Sequence, residues 1–177
     1  TCLVRRPLSA SAFHDPHNKL RPVVIDFEML QDYQGYFSVN HVYCCLGTTL
    51  KAAGSKSAFR KVDFEYVHIA AQLTRAQRAN SFVWISSVGA DAKSRHFYLR
   101  VKGELENAIM GMSQLPNASA VRPSLLLGAR EDSRFLEDIA QKTAPIWQHV
   151  LQGALKKYRP VKPEDVAHNM VALQAWQ

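Results

Sequence analysis

Phe82-Val-Trp-Ile-Ser-Ser-Val-Gly-Ala-Asp-Ala-Lys-Ser-Arg-His-Phe-Tyr-Leu-Arg-Val-Lys102 is the stretch that decides the fold. Its first four residues are apolar without polar alternation, the pattern of a strand covered on both faces in a parallel sheet. Two serines, Ser86 and Ser87, end the run. From Tyr98 the period changes: Tyr98, Val101, Leu105, Ala108 and Met112 recur every three or four residues up to Pro116, as one face of a helix does. A buried strand, a polar loop and an amphipathic helix in that order form the repeating unit of an α/β protein.

The same pattern extends in both directions. Cys2-Leu-Val4, Val23-Val-Ile25, Val42 to Leu46 and Ala120-Val121 are further short apolar runs and predict strands. Between the third and fourth strands, Val62, Tyr66, Ile69 and Leu73 predict one helix over 59–79 with a single buried stripe. A third helical stretch spans about 133–157, interrupted near Pro145. An extended piece over 158–161 then leads to a last helix, in which Pro163 suits the first turn and Glu164 and Asp165 suit its positive end. This alternation predicts a doubly wound parallel sheet flanked by helices, with right-handed crossovers. No repeat or linker divides the chain, so residues 1–177 read as one domain in which 129–177 form a substrate-side tail.

Composition narrows the function classes. The 177 residues are 47% hydrophobic and 21% charged, close to globular averages, which excludes a disordered or collagen-like chain. No apolar run reaches the ~18 residues of a membrane span, and no signal peptide is evident. The 22 basic residues exceed the 15 acidic ones, a net charge of +7, yet they are scattered rather than clustered; a solvated surface is expected, and no nucleic-acid partner. The three cysteines, Cys2, Cys44 and Cys45, make no disulfide framework, because adjacent residues of a strand point to opposite faces. Buried thiols and a cytoplasmic location are expected. His41-x-x-Cys44-Cys45 has no second ligand pair at metal spacing, so no metal is expected. The sequon Asn117-Ala-Ser119 reads as chance in a chain with no evident secretion signal.

Tyr98 and Lys102 lie four apart and share one helix face. A phenol titrates near pH 10 and is a poor acid or base at neutral pH; a nearby ammonium favours the phenolate and brings it toward the working range. Ser86 and Ser87 stand at the carboxyl end of a central strand, where open α/β sheets place their ligand crevice. A serine hydroxyl there can hold a substrate carbonyl while a tyrosine delivers the proton.

These features together resemble the short-chain dehydrogenase/reductase superfamily. More narrowly, the chain resembles the atypical group of Tat-interacting-protein type oxidoreductases and their bacterial relatives. Cys44-Cys-Leu-Gly-Thr-Thr49, Ile85-Ser-Ser-Val-Gly-Ala-Asp91, Tyr98-Leu-Arg-Val-Lys-Gly-Glu104 and Val121-Arg-Pro-Ser-Leu-Leu-Leu-Gly128 carry the resemblance, with Leu3-Val-Arg-Arg-Pro7 and Val62-Asp63. The resemblance implies a Rossmann-type fold and NADPH-dependent reduction of a carbonyl, by hydride transfer from the nicotinamide. It implies Ser87, with Ser86 as the alternative, as the residue orienting the substrate oxygen. Tyr98 then corresponds to the general acid, and Lys102 to the residue that lowers its pKa and bonds the nicotinamide ribose. Arg5 and Arg6 follow the strand that holds the adenosine ribose, where arginine suits the 2′-phosphate of NADP(H) and an acid would suit NAD(H). Asp26 and Phe27 correspond to positions lining the adenine, Leu46, Gly47, Thr48 and Thr49 to the turn beneath the cofactor, and Pro123 to the flank of the nicotinamide pocket.

Two departures from the family pattern stand out. Asp63 falls near the asparagine of the family proton relay, which puts that relay in doubt. The sequence also contains no Gly-x-x-Gly-x-x-Gly turn. By comparison with the family it opens at the second strand, with about 25 residues of strand and pyrophosphate-binding turn expected ahead of it; the alternative is a protein that cannot hold a dinucleotide in the usual way. The expected partner is a small carbonyl or alcohol substrate, with no membrane and with homodimer formation open. The alternative function is a non-catalytic NADP(H)-binding regulatory or interaction protein.

Overall fold

The computed structural model describes residues 1–9, 15–115, 117–124 and 161–175. The stretch expected to be helical over 133–157, its break at Pro145 and most of the extended piece at 158–161 lie outside the described residues, as does the tail up to residue 160.

Five parallel strands form among the described residues, all where apolar runs predict them. They are β1 (Cys2–Val4), β2 (Pro22–Val24), β3 (His41–Cys44), β4 (Ser81–Ile85) and β5 (Ala118–Val121). They make two sheets: β1 pairs with β2, and the other three run in the order β3-β4-β5. Among the described residues, β1, β2, β3 and β5 each keep one edge without a strand partner, and β4 is paired on both. Both sheets nevertheless serve a single core, since Leu3 and Val23 pack on the cluster that contains Cys44, Phe82 and Trp84.

The helices lie on both faces of the larger sheet, as the double-wound reading requires. Short helices α1 (Leu50–Ala53) and α2 (Lys56–Arg60) lead into one π turn (Lys61–Tyr66) and then α3 (Val67–Ala76). Thr49 and Ser55 start α1 and α2 by accepting the N–H groups of Ala52 and Ala58. Gly54 ends α1 at φ 78°, a conformation that glycine adopts without strain. Helix α4 (Phe97–Met110) follows β4, and α5 (Pro163–Ala175) closes the described chain. Successive β4 side chains divide between the two faces. Phe82 and Trp84, both fully buried with rings 5.7 Å apart, pack with Val67, Ala71, Leu105 and Ile109. Val83 turns the other way to Val166 and Met170 of α5. Each large side chain removed from water in this way contributes about 1.5–3 kcal/mol.

Two local expectations are corrected. A 3-10 helical stretch over Phe27–Phe37, kinked where Met29 and Tyr33 leave helical geometry, stands between β2 and β3 where no helix was expected. Asp26 caps it by accepting the Glu28 N–H, and Leu30 and Phe37 anchor it in the core. The helix expected over 59–79 forms but contains a π segment, and its buried line is only partly the expected one. Leu73 is buried as expected, together with Phe59, Asp63, Val67, Ala70, Ala71 and Thr74, whereas Val62, Tyr66 and Ile69 are only half-buried. The line that faces inward contains a carboxylate, which an apolar stripe cannot reveal.

Candidate functional site

Strand register brings the chemistry-bearing residues level along one edge of the sheet. Cys44 pairs with Trp84 and Trp84 with Ala120, so the segments that leave β3, β4 and β5 emerge side by side. The ladder continues beyond the strands: the Ser86 N–H donates to the Val121 carbonyl and the Val88 N–H to that of Pro123. Leu46–Thr49, Ser86–Ser87 and Pro123 therefore share the carboxyl edge, where parallel sheets receive ligands. In the smaller sheet, Arg5 and Arg6 follow β1 and are exposed, while Asp26 and Phe27 follow β2. The Phe27 ring is half-buried 6.0 Å from that of Tyr66.

Tyr98 and Lys102 occupy the first turns of α4, and the Lys102 ammonium reaches the Ile85 carbonyl, which immediately precedes the serines in the chain. Tyr98 is half-buried, its ring 5.6 Å from that of Phe59. The two serines differ. Ser87 is half-buried and its hydroxyl donates only a long 3.3 Å bond to the neighbouring Val88 carbonyl. Ser86 is buried, and its hydroxyl has no hydrogen-bond partner among the described residues. Both hydroxyls are thus open to a stronger partner, and an unsatisfied buried hydroxyl is costly.

Lys102 is only 3% exposed, and its ammonium bonds the Asp63 carboxylate at 2.8 Å; Asp63 is 1% exposed. A longer contact of 3.4 Å joins the same ammonium to the Ile85 carbonyl at the end of β4. The other Asp63 oxygen accepts the Thr48 N–H at 2.8 Å, which ties the pair to the turn after β3. Gly47 roofs it: a Cβ there would sit 3.4 Å from the carboxylate and 4.0 Å from the ammonium. Two side-chain pairs, Phe59 with Tyr98 and Asp63 with Lys102, repeat at four residues on both partners, so this part of the α2–α3 stretch runs alongside α4 in step. Outside the pair, Arg60 bonds Glu104 at 2.5 Å and Arg122 engages Glu106. The ion pair was not foreseen from the sequence. The spacing Phe59-Asp63-Val67 was the available signal, because it places Asp63 on the line of large inward residues.

The expectation of buried thiols is met by Cys44 alone: Cys2 is half-buried and Cys45, just past the end of β3, is exposed. Burial pushes the Cys44 thiol up to about 12, and partial desolvation raises that of Cys45 in the same direction. His41 bonds the Ser81 hydroxyl through Nδ1 at 2.8 Å. Among the described residues no three His, Cys, Asp or Glu side chains group as metal ligands. A surface cavity of about 870 Å³ opens at the opposite edge of the sheet, between Arg75, Asn80, Gln114 and Asn117, and contains none of the site residues above.

Known proteins share this arrangement of sequence. Protein HTATIP2 of Rattus norvegicus is 38% identical over 143 residues, covering 80% of this chain and 57% of its own length. Protein FMP52-1 of Scheffersomyces stipitis, named mitochondrial, is 39% identical over 115 residues, which is 65% of this chain and 47% of that protein. The chain belongs to the atypical short-chain dehydrogenase/reductase family, in the branch of HTATIP2 and FMP52. FMP52 of Debaryomyces hansenii, also named mitochondrial, is 33% identical over 137 residues, covering 76% of this chain and 59% of its own. The chain spans about half the length of the curated relatives it matches. No protein-family model matches it.

Solved structures agree on the fold of this family member. MoeE5 in complex with UDP-glucose and NAD superposes with a TM-score of 0.60 at 14% identity, over 78% of this chain and 50% of that one. RMD from Pseudomonas aeruginosa complexed with NADPH gives 0.50 at 16% identity, over 80% and 56%. The expected cytoplasmic location is overturned, because the yeast relatives are named mitochondrial. Unpaired thiols report a reducing environment and do not specify a compartment.

Proposed function

We propose that the protein is an NADPH-dependent oxidoreductase that reduces a carbonyl, with Ser87 holding the substrate oxygen, Tyr98 giving the proton and Lys102 supporting Tyr98. The observation that supports this reading is a buried lysine whose ammonium reaches the Ile85 carbonyl, directly before two underused serine hydroxyls at the carboxyl edge of the strands, with Tyr98 one turn earlier on the same helix. The family supports it, as do the NAD and NADPH in the two matched structures. The nicotinamide end of a cofactor suits these residues, since the partnerless Ser86 hydroxyl and the bare backbone at Gly47 leave polar atoms and space beside the lysine. When bound, the cofactor supplies the hydride. Arg5 and Arg6 would face a 2′-phosphate, Asp26 and Phe27 the adenine, Leu46 to Thr49 the underside and Pro123 the nicotinamide flank. The sequence offers no glycine-rich turn for the pyrophosphate.

The chemistry assigned to the chain is proton delivery and orientation. A hydroxyl at Ser87 donating to the carbonyl oxygen polarises it, and Tyr98 completes the alcohol by giving up its phenolic proton. Consumption of NADPH against a panel of aldehydes and ketones tests this, with Tyr98→Phe as the diagnostic variant. Turnover lost with cofactor affinity nearly unchanged is the expected result; equal turnover in the variant would remove Tyr98 from the chemistry. The second reading, a cofactor-binding protein without turnover, draws on the engagement of the Lys102 ammonium by Asp63. It predicts NADPH binding with no consumption across the panel.

A further inference from the structure

We infer that Asp63 is a positioning residue that acts on Tyr98 through Lys102: its carboxylate keeps the lysine charged and held one turn from the tyrosine. The inference deepens the reading of Tyr98 as proton donor and rests on it. The argument begins with burial. An ammonium that is 3% exposed has lost nearly all its water, and a buried lysine without a counter-charge gives up its proton at a pH several units below its ordinary value. A neutral lysine would no longer favour the phenolate. Asp63 is the carboxylate that bonds this ammonium, and it is fixed at both oxygens, one on Lys102 and one on the Thr48 N–H. The π turn delivers it there, and the paired spacing of Phe59 with Tyr98 and Asp63 with Lys102 keeps tyrosine and lysine in step.

Other ionisable groups nearby leave this role to Asp63. The Cys44 thiol of β3 interacts with both partners but stays protonated until about pH 12. Glu106, one turn further along α4, is engaged by Arg122, and Glu104 by Arg60. The Ile85 carbonyl and the Thr48 N–H carry no charge that could replace the carboxylate.

The test follows the Tyr98 phenol directly in the ligand-free protein by NMR of 13Cζ-labelled tyrosine, with Tyr98→Phe assigning the signal. Asp63→Asn keeps the shape and can still accept the Thr48 N–H. The expected result is an upward shift of the Tyr98 titration by about one pH unit or more, together with loss of the Lys102 proton at a lower pH in the 13Cε signal. A folded Asp63→Asn protein with both titrations unchanged would overturn the inference. Should that variant not fold, Asp63→Ser, which is smaller and also leaves the ammonium without a counter-charge, gives the same two readouts. Tyr98 titrating above its wild-type range with Lys102 losing its proton at lower pH supports the inference, and both titrations unchanged overturn it. Neither readout needs turnover. A wild-type protein that consumes no NADPH would therefore count against the proposed reaction while leaving the titration result to decide the role of Asp63.

Discussion

Gly103 of α4 lies directly against the backbone of Asp91 and Ala92: a Cβ at position 103 would fall 2.2 Å from the Ala92 nitrogen and 2.3 Å from the Asp91 carbonyl carbon. The contact clamps the loop between Ser87 and Tyr98 onto the helix, and the Asp91 N–H donating to the Leu99 carbonyl reinforces it. Backbone atoms cannot swing aside as a flexible side chain can. Gly103→Ala should therefore cost about 3 kcal/mol or more in denaturant unfolding, at the upper end for overpacking. An alanine variant of wild-type stability would show that the loop yields freely.

The two serines should separate by substitution. Ser87→Ala removes the hydroxyl assigned to the substrate oxygen and should lower kcat by about 100-fold or more, the scale for losing one donor at a developing charge. Ser86→Ala removes a buried hydroxyl with no partner among the described residues and should leave stability equal or slightly improved. If steady-state kinetics put the larger loss on Ser86, the roles exchange.

Arg5 and Arg6 are exposed at the end of β1, where each can reach a phosphate without breaking a contact of the core. Fluorescence titration should show tighter binding of NADPH than of NADH, a preference that falls by about 10-fold or more in the Arg5→Ala, Arg6→Ala double variant. A wild-type protein that binds both equally would end the 2′-phosphate assignment.

Cys44 gives the fold an alkaline sensitivity of known sign. The thiol loses its proton near 9.0 when unfolded but at about 12 when folded, so the folded state holds the extra proton between those values. Its contribution is complete below pH 9 and then falls by about 1.4 kcal/mol per pH unit. Cys44→Ala cannot titrate. The stability gap between wild type and variant, measured by urea unfolding, should narrow from pH 9 to pH 11; a constant gap would contradict the burial argument.

The strands were legible because each centres on a short apolar run, and the parallel pairing of β3, β4 and β5 followed from the helices between them. Tyr98 and Lys102 were legible because four-residue spacing on a helix is a local property. Two things were not. The partner of Lys102 comes from a segment 39 positions earlier, and a polar residue in an amphipathic pattern is normally assigned to solvent; only tertiary pairing turns Asp63 inward. The 3-10 helix was missed because its anchors, Leu30 and Phe37, are separated by polar and aromatic residues that blur any helical period. The compartment was never encoded in the features used to infer it.

The π turn at Lys61–Tyr66 makes segment length a constraint distinct from residue identity. Closure from i to i+5 accommodates one residue more than an α-helical turn, and each residue advances the helix by about 100°. Removing any one residue between 61 and 66 would restore an ordinary α-helical ladder and shorten the chain by little. A loss at Lys61 or Val62 would also carry Phe59 and Asp63 out of step with each other by roughly a quarter turn, so that one could no longer face Tyr98 while the other faced Lys102; a loss at 64–66 would instead turn Val67 and the rest of α3 out of step with both. Substitutions in this stretch can drift, but an insertion or deletion resets the phase of the whole site, which makes the spacing from Phe59 to Val67 a more discriminating mark of a working relative than any single side chain within it.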